Sequence, residues 1–301
     1  MKHNIKVTLI LVAIFFISQL LGLFIVSKYV AQKTINPETG LVENVTYKNL
    51  PLEMQRPEVE ESSSYLYILG AVLIGTVLVL LLVKFRGFKL WKTWFFISVA
   101  LCLTIAFSAF VNQYIAIALG IIFAILKIYK PNVILHNFTE VFIYGGLAAI
   151  FVPIMNLFAV VVLLLLISVY DMIAVWQSKH MVTMAKFQTE SKVFAGLSIP
   201  YTLKTTPKTE GKTVTTKKTT TRKDKEETKS AILGGGDIGF PLLFAGVVMK
   251  TIPFTKVIII PAVTAVALFL LLYYAEKDKF YPAMPFLTAG CLVGYGLMLL
   301  L

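Results

Sequence analysis

Long apolar runs recur along the whole chain and alternate with short polar joins. They fall at about 7–27, 65–83, 93–111, 114–129, 139–152, 154–176, 231–249, 257–275 and 282–301, and runs of this kind read as membrane-crossing helices. Two joins need argument. One helix over 93–129 would be about 55 Å long at 1.5 Å per residue, too long for a single crossing. The break belongs at Asn112-Gln113. The run 139–176 is also too long, and Pro153 with Asn156 marks its break. The fourth and fifth spans are short, and a re-entrant pair there would leave the parity of later helices unchanged. The fold class is all-α: a polytopic membrane protein of about nine transmembrane helices. A transmembrane barrel would show short alternating segments instead.

The polar segments divide the chain. Residues 1–176 form a six-helix membrane region, 177–230 a basic, partly disordered cytoplasmic linker, and 231–301 a three-helix membrane region. The 31–64 loop is acidic and long enough for a small outer hairpin. Residues 180–200 put Met181, Met184, Phe187, Phe194 and Leu197 near one helical face, as a surface helix on the membrane or a packed amphipathic helix would. Residues 204–230 are rich in Lys and Thr and lack an apolar core, so they read as a disordered linker. With the N-terminus cytoplasmic, Lys and Arg number 22 inside against 6 outside, or 10 against 6 without 177–230. This favours a cytoplasmic N-terminus and linker and an outer C-terminus. Trp91, Trp94 and Trp176 fall at the expected inner interface.

Composition agrees: 57% of the 301 residues are hydrophobic and the mean hydropathy is +0.81, beyond a soluble domain. The net charge of +12 lies in loops beside apolar spans, which sets topology and gives no reason to invoke nucleic acid. Cys102 and Cys291 sit inside apolar runs and read as small buried hydrophobes. The first apolar run is longer than a signal core and lacks a small-x-small cleavage site, so it reads as a retained helix.

Two carboxylates then remain well inside spans, Asp171 and Asp237; Glu140 sits at an expected helix end and reads as interfacial. A charge at bilayer depth costs at least about 2.5 kcal/mol, so such acids point to function. Asp171 lies five residues before Trp176 on an inward helix, and Asp237 six after Ala231 on an outward one. Each is displaced about 7–9 Å along its helix from the same face. Adjacent helices can therefore bring the two together. Paired carboxyls tend to hold one proton between them, so one can activate water while the other polarises a carbonyl. Gly234, Gly235 and Gly236 allow close backbone approach. Pro241 has no N–H to donate to the carbonyl of Asp237, which weakens the helix there. Cleavage within a membrane helix requires local unwinding, and a loosened enzyme backbone can pair with the unwound strand.

Other chemistries lack their residues. There is no HExxH, and His3, His136 and His180 fall near loops or ends. No membrane Ser has a His within a span as its base, and no Walker A or dinucleotide fingerprint appears.

Tyr170-Asp171 in VYDMIAVW, Gly234-x-Gly236-Asp237 in LGGGDIGFP, and YPAMPF opening the last helix together resemble the presenilin and signal peptide peptidase family of intramembrane aspartyl proteases. The prokaryotic members are the most similar in compactness. The resemblance implies the presenilin-like fold and Asp171 and Asp237 as catalytic groups, with no cofactor. It implies Pro282, Ala283 and Met284 as the segment seating substrate, with Met284 where the family has Leu. Tyr170 would support Asp171 or contact substrate. The implied partners are transmembrane helical substrates and membrane lipid, with self-association left open, and the linker between the catalytic helices can order or be cut. Two rival readings stand beside it: a prepilin-type leader peptidase, and an ion- or proton-coupled transporter using the acid pair as a relay. The GxxxG at Gly290–Gly294 reads as helix packing.

Overall fold

The computed structural model describes residues 5–35, 42–178, 183–184, 187–188, 190–191, 193–203, 227–276 and 281–301. Its long helices are α1 (Ile5–Tyr29), α2 (Ser64–Lys84), α3 (Phe88–Ser108), α4 (Gln113–Tyr129), α5 (Val133–Phe151), α6 (Leu157–Met172), α7 (Gly235–Val248), α8 (Ile259–Tyr274) and α9 (Met284–Leu300). They occupy the nine expected apolar runs. Among the described residues, six helical segments are long and apolar enough to cross a membrane, while α4, α7 and α9 are shorter apolar helices.

Asparagine sets the breaks. The Asn112, Asn132 and Asn156 side chains accept from the N–H groups of Tyr114, Ile134 and Ala159, capping α4, α5 and α6. Each cap satisfies a donor that a helix start would otherwise leave without an intrahelical partner. A 3₁₀ turn at Val152–Ile154 carries the Pro153 break.

Helix α7 is the axis of the bundle. It packs against α1, α5, α6, α8 and α9, and Ile238, Leu242 and Phe244 are fully buried. Gly22 of α1 lies so close to Leu242 that an added Cβ would come within 2.3 Å of its side chain. The GxxxG of α9 does pack: a Cβ on Gly290 or Gly294 would meet α8 at 2.9 Å. A second core joins α3, α4 and α5, where Phe187 is buried against Trp91 and Phe88. By contrast, α2 leans mainly on α6, and only 6% of its apolar window is buried.

Among the described residues, two small antiparallel sheets complete the fold. The hairpin expected after the first helix forms as β1 (Val30–Ile35) and β2 (Val42–Tyr47). The second sheet corrects the sequence reading. Strand β3 (Gly196–Leu203) pairs with β4 (Glu227–Gly234), register Gly196↔Gly234 to Leu203↔Glu227. Residues 196–200 are thus strand and not amphipathic helix, 227–230 are strand and not linker, and the seventh span opens as strand with its helix starting at Gly235. The 14 residues of α7 span only about 21 Å at 1.5 Å each. Four further residues of strand, 231–234, add about 13 Å, and together they cover the bilayer core. Thr183, Met184, Phe187, Gln188 and Glu190 are helical; Met181 and 204–226 lie outside the described residues.

Just beyond the end of α7, Lys250 donates to the carbonyls of Met155 (2.6 Å) and Pro153 (3.1 Å) and pairs with Glu61 at 3.3 Å. Burial lowers its pKa, and Glu61 offsets part of that. Removing these donors leaves two carbonyls bare. Lys250→Met should lower unfolding free energy by about 1–3 kcal/mol, read by thermal unfolding in detergent. Glu61 is half-exposed, and Glu61→Gln should cost less than about 1 kcal/mol.

Candidate active site

Asp171 is carried by the last turn of α6, just before a π-helical turn at Ile173–Gln177. Asp237 is carried by the first turn of α7. Both are buried, at 7% and 8% exposure. They border one cavity of about 220 Å³, with Val72, Thr76, Ile167, Tyr170, Ala174, Met184, Gly234, Gly236, Phe240 and Met284.

Each carboxyl has backbone donors in place of water. The Met284 N–H donates to Asp171 Oδ2 at 3.1 Å, and the Ala283 backbone also bonds this carboxyl. Helix α9 starts at Met284, so these N–H groups have no intrahelical acceptor, and a helix N-terminus favours an anion. The backbone of Gly234 bonds Asp237. Ser168 of α6 and Thr288 of α9 share a buried hydrogen bond of 2.8 Å one turn away, which holds the two helices in this relation.

The structure sorts the other expected residues. Tyr170 borders the cavity, and its hydroxyl bonds Thr76 Oγ1 of α2 at 2.8 Å. Met284 and Pro282 are buried, and Met284 alone of the 282–284 segment borders the cavity. Pro241 is buried inside α7, away from the cavity lining. The Gln19 side chain of α1 donates to Ile238 O at 2.8 Å, beside the carbonyl that Pro241 leaves without its helical donor. The three glycines differ. A Cβ on Gly234 would lie 3.2 Å from Asp237 Oδ2, one on Gly235 only 2.7 Å from the Tyr144 hydroxyl, and one on Gly236 in ordinary contact at 3.5 Å.

A second cavity of about 750 Å³ lies alongside, between α2, α3, α5 and α7. It shares Val72, Met184, Gly234, Gly236 and Phe240 with the first. Its walls are mainly apolar, with Ser98, Glu140, Gln188 and the tyrosines Tyr67 and Tyr144 among the polar exceptions. Glu140 is a correction: it lies in the second turn of α5, 1% exposed, and forms a buried ion pair with Lys127 of α4 at 2.7 Å. It lies within α5 and not at a helix end, whereas His136 is in the first turn of α5, near a helix end as expected. The match that pairs Asp171 with Asp237, opposite ends of two spans at one depth, is also present for Lys127 and Glu140. Among the described residues no cluster of three or more His, Cys, Asp or Glu side chains comes together.

The family model described as signal-peptide peptidase, presenilin aspartyl protease matches residues 12–301. The chain belongs to this family. It is thus an aspartyl protease of a multi-pass membrane class. Among solved structures, a presenilin family intramembrane aspartate protease in a C222 crystal form superposes with a TM-score of 0.61 at 18% identity, covering 97% of this chain and 98% of that one. A presenilin family intramembrane aspartate protease in a P2 form gives 0.57 at 18% identity, covering 96% of each. At this identity the likeness is one of fold. Comparison with curated protein sequences gives no match.

The glycine geometry yields a direct test. Gly235→Ala forces the buried Tyr144 to move and should cost about 1–3 kcal/mol of stability. Gly236→Ala has room and gains helix propensity, so it should stay within about 1 kcal/mol of the parent protein. Thermal unfolding of the two variants side by side reads the contrast.

Proposed function

We propose that the protein is an endopeptidase that hydrolyses peptide bonds within transmembrane helices of other membrane proteins, with Asp171 and Asp237 as its catalytic groups. The observation that carries this reading is that both carboxyls, on adjacent helices, border one cavity. The ionised carboxyl takes a proton from water as the hydroxyl attacks the peptide carbonyl carbon, and the protonated one gives its proton to the carbonyl oxygen. The tetrahedral intermediate collapses as a carboxyl protonates the departing amine.

Two features support a membrane-helix substrate. The larger cavity is apolar and opens on Gly234–Gly236, as an apolar segment approaching the acids requires. Strand β4 offers a backbone template. Gly196 and Ser198 of β3 turn their N–H and C=O groups to α5 side chains. In an antiparallel ladder the intervening Leu197 and Ile199 then exchange bonds with Leu233 and Ala231. Ser230 and Ile232 face the other edge, where no strand lies among the described residues. An unwound substrate segment can add there as a strand, leading its peptide bonds toward Asp237. The basic tally supports a cytoplasmic N-terminus and linker, which puts this template near the inner face.

Reconstitution in lipid with a labelled single-span peptide tests the reading. Asp171→Asn and Asp237→Asn should each abolish product while the proteins keep their unfolding temperature within a few degrees, since an amide retains acceptance from the Met284 and Gly234 backbones. Cleavage that survives both substitutions removes the dyad. Solute-coupled proton flux with no product would favour a transporter.

A further inference from the structure

Glu140 stands at the junction of three elements, and no step assigned to the two aspartates uses it. Its Oε1 accepts from Lys127 Nζ of α4. Its Oε2 accepts from the Tyr144 hydroxyl and, at 3.0 Å, from the N–H of Gly196, the first residue of β3. Lys127 spends its other protons nearby, on Thr139 Oγ1 at 3.0 Å and on His136 Nδ1 at 3.2 Å. An imidazole that accepts at Nδ1 donates at Nε2, and Nε2 lies 2.7 Å from Gly196 O. Both backbone groups of Gly196 are therefore gripped by side chains that Lys127 holds.

The grip falls where the sheet register is decided. Gly196 pairs with Gly234, three residues before Asp237. Its φ is +134°, and a Cβ there would lie 2.2 Å from Leu233 O, so only glycine fits. A two-stranded sheet is marginal alone, and a one-residue slip would turn buried Leu233 and Ala231 to the other face. Asn137 repeats the clamp two residues on, exchanging bonds with Ser198 N–H at 3.0 Å and Ser198 O at 2.8 Å. Tyr144, whose hydroxyl Glu140 orients, fills the space beside Gly235.

We propose that Glu140, backed by Lys127, is a positioning residue for the Asp237 motif: it anchors β3 at Gly196 so that β4 delivers Gly234 and Asp237 to the cavity in one register. Its consequence for cleavage rests on the proteolytic reading above; the anchoring itself does not. A buried ion pair can often be replaced by apolar groups without loss of stability, which allows anchoring to be separated from folding.

Lys127→Met/Glu140→Gln removes both charges but keeps a side-chain oxygen for Gly196 and Tyr144. Lys127→Met/Glu140→Leu removes the charges and the acceptor; Lys127→Met/Glu140→Met serves as a second apolar pair. Hydrogen exchange over 193–203 and 227–236 should match the parent protein in the Gln double and be faster in the apolar doubles at equal unfolding temperature. On the labelled single-span peptide, the apolar doubles should turn over about tenfold or more slowly, as a small misplacement of a reacting group costs. Their cuts should also spread to neighbouring peptide bonds, while the Gln double keeps the parent cut. Equal exchange in the Gln and apolar doubles overturns the anchor whatever happens to the peptide. The exchange contrast in a protein that never cuts the peptide upholds the anchor and removes the proteolytic reading.

Discussion

An acid group inside a bilayer must find donors to replace its lost water, and in this protein the backbone supplies them. Asp171 takes the Met284 N–H, and Asp237 is bonded by the Gly234 backbone. The first contact ties the motif of α6 to the motif opening α9, and the shared cavity sets the glycine motif beside them. The motif opening α9 meets the acid of α6 through its bare N-terminal amides. The glycine run meets the acid of α7 through a residue with no side chain in the way. Side-chain identity at position 284 matters less in this contact, because the main chain makes it; a Met in place of a Leu leaves the amide where it was.

The same need explains why the seventh span is part strand. Strand backbone in a membrane leaves unpaired groups unless a partner covers them. Here β3 covers one side of β4, and α5 side chains cover the outer side of β3. Among the described residues, one edge, at Ser230 and Ile232, is left over. Under the proposed function that remainder is where a substrate's own backbone groups find partners once its helix has opened.

Much of this is legible in the sequence. The apolar runs fix where the helices lie, and Asn112 and Asn156 mark breaks because a chain too long for one crossing needs a cap at each restart. The acids stand out because nothing else in their runs carries charge. The strands at 196–203 and 227–234 are not legible. Ala231-Ile232-Leu233 beside three glycines is a short apolar run, and periodicity does not tell such a strand from the start of a buried helix. Glu140 is misread for a related reason. The polar residues His136, Asn137 and Thr139 look like a helix end, whereas His136 and Asn137 grip β3 together with Glu140, and Thr139 accepts from Lys127. Lys127 counts toward the inside-positive loops, which hides its pairing.

The site thus has walls of opposite character. Behind β3, every donor and acceptor of a buried ionic cluster is engaged, and such a network fixes geometry. Across the cavity, α2 is nearly bare, holding the active-site side by Thr76 to Tyr170 and by the buried Ile68. Elements with few buried contacts open at low free energy. A protease that must admit a whole helix and still cut a chosen bond needs both properties. Under the proposed function, compliance at α2 lets a segment reach the 750 Å³ cavity without disturbing the acids. Stiffness at Gly196 keeps the template in register while the segment unwinds. Exchanging the two walls would defeat selective cleavage, because a rigid α2 excludes substrate and a loose sheet presents a different peptide bond to Asp237 at each encounter.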